Sequence, residues 1–186
     1  MGRVTRKQWW AAAAVVAAVV LAAGLVWFKP WALWVDDTVN EALPSAATPT
    51  AAPATPAPAT ATPSQVPAGP TTVAQGSFIS HEHETTGTVK IIRLADGTHT
   101  LRLEGLDTSN GPELRVWLSD APVKEGKAGW SVFDDGKYLN LAKLKGNKGD
   151  QNYPLPADAD WSAYTSVSIW CDRFDVSFGA AEIVRT

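Results

Sequence analysis

Eighteen consecutive residues, Ala11 to Phe28, carry no charge and are mostly Ala, Val and Leu. No other feature of the chain restricts its fold so strongly. Extended back to Trp9, the run makes a 20-residue element, about 30 Å of helix at about 1.5 Å per residue, which matches the hydrocarbon thickness of a bilayer. The spacing predicts a single transmembrane helix over 9–28. Arg3, Arg6 and Lys7 precede it and only Lys29 follows closely, so the positive-inside bias predicts a cytoplasmic basic tail over 1–8 and an extracytoplasmic remainder. Five of the nine tryptophans, Trp9, Trp10, Trp27, Trp31 and Trp34, gather at the two ends of the run, where an indole suits the headgroup level. The competing reading is a cleaved signal peptide, for which Leu21-Ala22-Ala23-Gly24 offers small residues. Against it, the apolar text continues through Leu25-Val26-Trp27-Phe28, where a processed chain turns polar. No Cys follows the run closely, so a lipoprotein anchor is excluded.

A second regime spans residues 44 to 70, with eight prolines among Ala, Thr and Ser and neither aromatic nor charged residues. Such a stretch buries too little to offset its chain entropy, and its prolines bias it to extended polyproline II geometry. A disordered linker over 44–71 is expected. As a spacer it reaches about 80 Å at about 3.1 Å per residue, and its Thr/Ser/Pro mixture suits O-linked sugars. Between helix and linker, the juxtamembrane segment 29–43 ends in VDDTVNEAL, which reads as one or two helical turns.

The third regime, 72–186, has the composition of a globular domain large enough to fold alone. Over 73–186 there are 12 Lys and Arg against 16 Asp and Glu, a net of −4. That balance argues against nucleic acid, since phosphate neutralisation needs a positive field. Cys171 is the single cysteine, so no internal disulfide is available. Leu101 and Leu103 alternate with Arg102 and Glu104, Leu114, Val116 and Leu118 with Glu113, Arg115 and Ser119, and Val167, Ile169 and Cys171 with Ser166, Ser168 and Trp170. Period two, broken by turn clusters such as Asp134-Asp135-Gly136 and Gly146-Asn147-Lys148-Gly149, predicts an all-β, mainly antiparallel β-sandwich of about seven to nine strands. One helix is predicted, over Asp158–Tyr164, with an Asp cap and Trp161 facing inward.

Five blocks of this region carry a resemblance: Gly76-Ser77-Phe78, Gly87-Thr88-Val89, the run Gly111 to Ser119 (GPELRVWLS), the run Leu144 to Pro156 (LKGNKGDQNYPLP) and the run Ser168 to Phe174 (SIWCDRF). Over about 110 residues the text resembles the DM-thirteen domain, a family of extracytoplasmic β-domains proposed to act in electron transfer and related to DOMON-type redox domains. Anchor and linker lie outside the resemblance. It implies a redox role resting on the cysteine of the Trp-Cys motif, here Cys171, as a naked thiol or as a ligand to a prosthetic group such as haem.

From the residues alone, Cys171 shares a strand face with Val167 and Ile169 and reads equally as a small buried hydrophobe with an inert thiol. Trp170 is its neighbour, and Arg173, two residues on, lowers the thiol pKa if it folds back. His81 and His83 flank Glu82, and an i, i+2 histidine pair on a strand is a two-ligand start for a metal or haem site. A solvated strand end explains it as well. His99 shares parity with Leu101 and Leu103 and is expected to point inward. Haem is narrowly constrained. There is no Cys-x-x-Cys-His motif for c-type attachment, and the only methionine is Met1, which removes an axial Met/His pair. Lys143, Lys145 and Lys148 around Gly146 and Gly149 suggest an anion nest, although a solvated turn serves equally. The leading expectation is a single-pass, membrane-anchored extracytoplasmic domain with a redox or electron-transfer role centred on Cys171, served by a redox or cell-envelope partner. The rival is a non-catalytic surface module that binds an envelope protein or glycan.

Overall fold

The computed structural model describes residues 6–28, 35–44 and 69–186. Arg3, Trp31 and Trp34, and with them most of the expected linker, lie outside the described residues. Helix α1 covers Arg6–Phe28. Its Ala-rich text has the highest intrinsic helix propensity. Trp9, Trp10 and Trp27 are exposed on it, as are its valines. Among the described residues, no helix is long and apolar enough to cross a membrane.

The remainder is β: β1 (Thr38–Asn40), β2 (Thr71–Ser80), β3 (Thr86–Arg93), β4 (His99–Asp107), β5 (Leu114–Ser119), β6 (Tyr138–Lys143), β7 (Lys148–Pro154), β8 (Ser166–Cys171), β9 (Val176–Glu182) and β10 (Val184–Arg185). These ten strands form one mixed sheet in the order β1-β7-β4-β3-β2-β9-β8-β5-β6, with β10 on β2. The sheet curls into a half-barrel rather than splitting into the two sheets of the expected sandwich. Strand β2 explains the difference. Its first part, Thr71–Ser77, pairs with β3, while Phe78–Ser80 pair with β9, so one bent strand belongs to both halves. Gly76 lies at the changeover, where a Cβ would overlap the Glu182 carbonyl. One core fills the curl, with Val89, Ile91, Leu101, Leu103 and Leu106 from one half meeting Val116, Leu118, Val167, Ile169 and Phe178 from the other.

Period-two patterning places Leu101, Leu103, Leu114, Val116, Leu118, Val167, Ile169 and Cys171 inward correctly, but it misjudges the outer faces. All six residues of β8 are buried, because the loop 120–137 folds across the outside of β5, β8 and β9. Phe133, Ala121, Val123 and Val132 from that loop make a second small core with Trp117 and Trp170. Two local expectations are corrected. The helix predicted over Asp158–Tyr164 is a single 3-10 turn, Trp161–Ala163, capped by the Asp160 carboxylate, which accepts from Ser162 N. Asp side chains favour such local caps over helix extension, and Trp161 does pack against the core. The segment VDDTVNEAL is not helical. It forms β1, paired in parallel with β7 at Thr38–Lys148, Val39–Gly149 and Asn40–Asp150, where alternate contacts on a waiting strand outweigh a weak local helix preference.

Candidate functional site

Strand β8 delivers Cys171 to the main core and Trp170 to the opposite face, as alternation requires. Cys171 has no exposed surface, and it pairs across to Leu114 and Val176. Burial pushes its thiol pKa up, and the backbone N–H groups of Arg173, Phe174 and Glu113 pull it only part of the way back. Arg173 therefore meets the sulfur through its main chain. Thiolate is the form that attacks disulfides and binds metals, and this environment holds the neutral thiol.

Trp170 is buried in a file of rings. It stacks on Trp117, centroids 4.9 Å apart at 21°, and Trp117 stacks on Tyr138 at 4.2 Å and 9°. Phe133 closes the inner end edge-on to Trp170 at 6.4 Å. Tyr138 is exposed while Trp117 and Trp170 are buried, so the file runs from solvent to the back of Cys171's own strand. The buried Trp117 indole N–H finds no acceptor among the described residues, although indoles usually find a partner when buried. Trp117 and Tyr138 are absent from the sequence-level candidates. Their signal was an aromatic at the outward parity of β5, which reads as solvent-facing until the 120–137 loop is known to cover it.

The two histidines are not brought together. Strand β2 ends at Ser80, and 81–83 form a bend, so the shared face inferred from strand parity is lost. The His81 ring is buried, with Nδ1 2.8 Å from Ser177 Oγ and Nε2 3.1 Å from the Lys124 carbonyl. The carbonyl requires a proton on Nε2, which leaves Nδ1 to accept from Ser177. Ser177 in turn accepts from Ser168 Oγ at 2.9 Å. Desolvation lowers the His81 pKa against a smaller rise from the Lys124 carbonyl. His83 lies over Phe178, ring centroids 3.9 Å apart. His99 is half-buried against Trp161 at 5.4 Å.

A haem ligand set does not fit these residues. Cys171 is enclosed by packed side chains and donor N–H groups, and His81 spends both ring nitrogens within the fold. Among the described residues no group of three or more His, Cys, Asp or Glu side chains assembles for a metal ion. A polar cleft of about 340 Å³ is lined by Asp36, Glu84, Asp107, Asn110 and Lys148 among others. Its lysine is already paired, with Asp36 at 3.1 Å and Asp107 at 3.4 Å.

The fold and its interior define a β-domain whose redox-capable groups are one enclosed thiol and a ring file that opens to solvent. The chain belongs to the electron transfer DM13 family, whose profile matches residues 77–183, more than half of the chain. No curated protein and no solved structure matches it.

Proposed function

We propose that this protein is a membrane-anchored electron-transfer module, with the N-terminus cytoplasmic, residues 9–28 crossing the bilayer and the β-domain exchanging electrons outside it with a cell-envelope redox protein. Membership of the electron transfer DM13 family over residues 77–183 carries the reading. The anchor is read from the sequence and not from the described part of α1, which does not by itself qualify as a span. Its support is the uncharged text from Ala11 to Phe28 and the surplus of Arg3, Arg6 and Lys7 over Lys29. Cys171, with Trp170 beside it, is the proposed centre. Its neutral, enclosed thiol is unsuited to nucleophilic exchange, so the electron traffic is assigned to the rings beside it. A route for that traffic is the file Tyr138, Trp117, Trp170, in which an oxidised partner over Tyr138 withdraws one electron and a reduced partner returns one.

One observation favours a second reading, a non-catalytic module that binds an envelope protein or glycan. Cys171 has no exposed surface and its pKa is raised, as befits a residue that only fills the core. The purified full chain in detergent separates the two. A free thiol that is lost when the rings of the folded protein are photo-oxidised places redox chemistry at Cys171. A thiol that stays fully titratable in denaturant after the rings have been oxidised removes the cysteine-centred reading. The ring file is tested by photo-oxidation with a diffusing one-electron oxidant. Tyr138→Phe then slows the appearance of the Trp radical severalfold if the file conducts, and leaves it unchanged if Tyr138 is only a surface ring.

A further inference from the structure

Residues 35–44 precede the family match, yet they are built into the sheet. Asp37 N donates to Asn147 Oδ1 at 2.7 Å, Lys148 N to the Asp37 carbonyl at 3.2 Å and Glu41 N to the Asp150 carbonyl at 2.9 Å. The Glu41 carboxylate takes Lys145 Nζ at 2.7 Å and Asn152 N at 2.8 Å. Its carbonyl takes Arg102 Nη1 at 2.9 Å, and that of Ala42 takes Asn152 Nδ2 at 2.8 Å. These bonds hold both β1 and the residues on either side of it.

The receiving surface is shaped for this segment. A Cβ at Gly146 would overlap the Asp37 carbonyl, and one at Gly149 would overlap the Val39 carbonyl. Gly149 also adopts φ +93°, which side-chain-bearing residues rarely enter. Arg102, at an outward parity of β4, is buried because Glu41, Asp150 and Asn152 surround its guanidinium. Bonding partners and backbone clearance thus point separately to one occupant.

We propose that residues 36–43 are a strap that fastens the β-domain close to the membrane, so that its reach is set by the number of residues between Phe28 and Val35 and not by the Pro/Ala/Thr text. The inference rests on the membrane anchor proposed above. Pro44 and Gly69 both belong to the described domain, so the number of residues between them adds nothing to the domain's reach. From Phe28 to Val35 there are seven residue steps, about 25 Å at the chain's fullest extension of about 3.5 Å per residue. Val35 is itself fixed, its carbonyl accepting from Asn110 Nδ2 at 3.2 Å. The end of the domain that bears Asn110, Asp107 and Lys148 therefore lies nearest the anchor. A domain tethered in this way suits exchange with a carrier in the same membrane or moving along its surface, and it does not reach across an envelope.

The test uses the full chain in phosphatidylcholine/phosphatidylglycerol vesicles, with a specific protease site placed in 45–68 and the pair Thr38→Cys and Lys148→Cys introduced. Cys171 is buried and does not compete for the bridge. After mild oxidation, cleavage should leave the β-domain on the vesicles until a reductant frees it. Release at once upon cleavage, without a bridge, overturns the strap. Because bridging depends on side-chain geometry, amide exchange at Lys148 supplies a second readout. It should speed up at least tenfold when residues 36–43 are replaced by Gly and Ser, and unchanged exchange overturns the strap as well. Failure of the anchor is a separate result, namely uncut protein that does not float with vesicles. The bridge and the exchange rate still report on the strap in that case.

Discussion

Cys171 and Tyr153 are both fully enclosed, and both are held in their neutral forms. For the thiol, desolvation outweighs the N–H groups that favour a thiolate, so chemistry that needs a thiolate is disfavoured at this position. Tyr153 OH donates to Gln151 Oε1 at 2.7 Å and accepts from Lys145 N at 3.1 Å. Desolvation pushes its pKa from 10.0 up to about 12, opposed by the Lys145 N–H. An acid whose folded pKa is raised contributes stability that is complete below its unfolded pKa and is lost as pH climbs through the folded one. Stability is therefore expected to fall between pH 10 and about 12, by roughly 2 to 3 kcal/mol from this phenol. Phenolate absorbance tests this directly. One of the three tyrosines should titrate late in the folded protein, and Tyr153→Phe should abolish that late step.

Among the elements, β1 and its seat on β7 show how a sequence block can be legible while its use is not. The run Leu144 to Pro156 stands out as text, and its lysines and glycines suggested an anion nest. The anions they meet belong to the chain itself, with Lys145 on Glu41 at 2.7 Å and Lys148 on Asp36 at 3.1 Å. More than a hundred residues separate these partners, and no local pattern links them. Gly146 isolates the contact, because its φ is ordinary and only the strap crowds it. Gly146→Ala should cost about 1 to 3 kcal/mol in the intact chain, the usual penalty of overpacking. The cost should largely vanish where 36–43 is replaced by Gly and Ser. Paired denaturant melts check this, and an equal loss in both backgrounds would mean that the strap does not rest on Gly146. Strands whose inner faces alternate strictly, such as β5 and β8, were readable in advance. The bend after Ser80 was not, since parity carries no information on where a strand ends.

For the whole molecule, the prediction is topological. A protease added to intact cells should nick the chain in 45–68, and a segment cut only after lysis would place the domain in the wrong compartment. The anchor text, the punctuated β-domain and its family blocks were all present in the amino-acid order. Charge-free length, period two and turn residues are local properties, and each is set by neighbours a few positions apart. Only the tertiary structure decided that the strands close into one curled sheet, that a loop roofs Trp117 and Trp170, that His81 and His83 part company, and that 36–43 docks on β7. Each of these depends on which distant surfaces come to exclude water or to share hydrogen bonds, and that is fixed by packing in three dimensions and not by spacing along the chain.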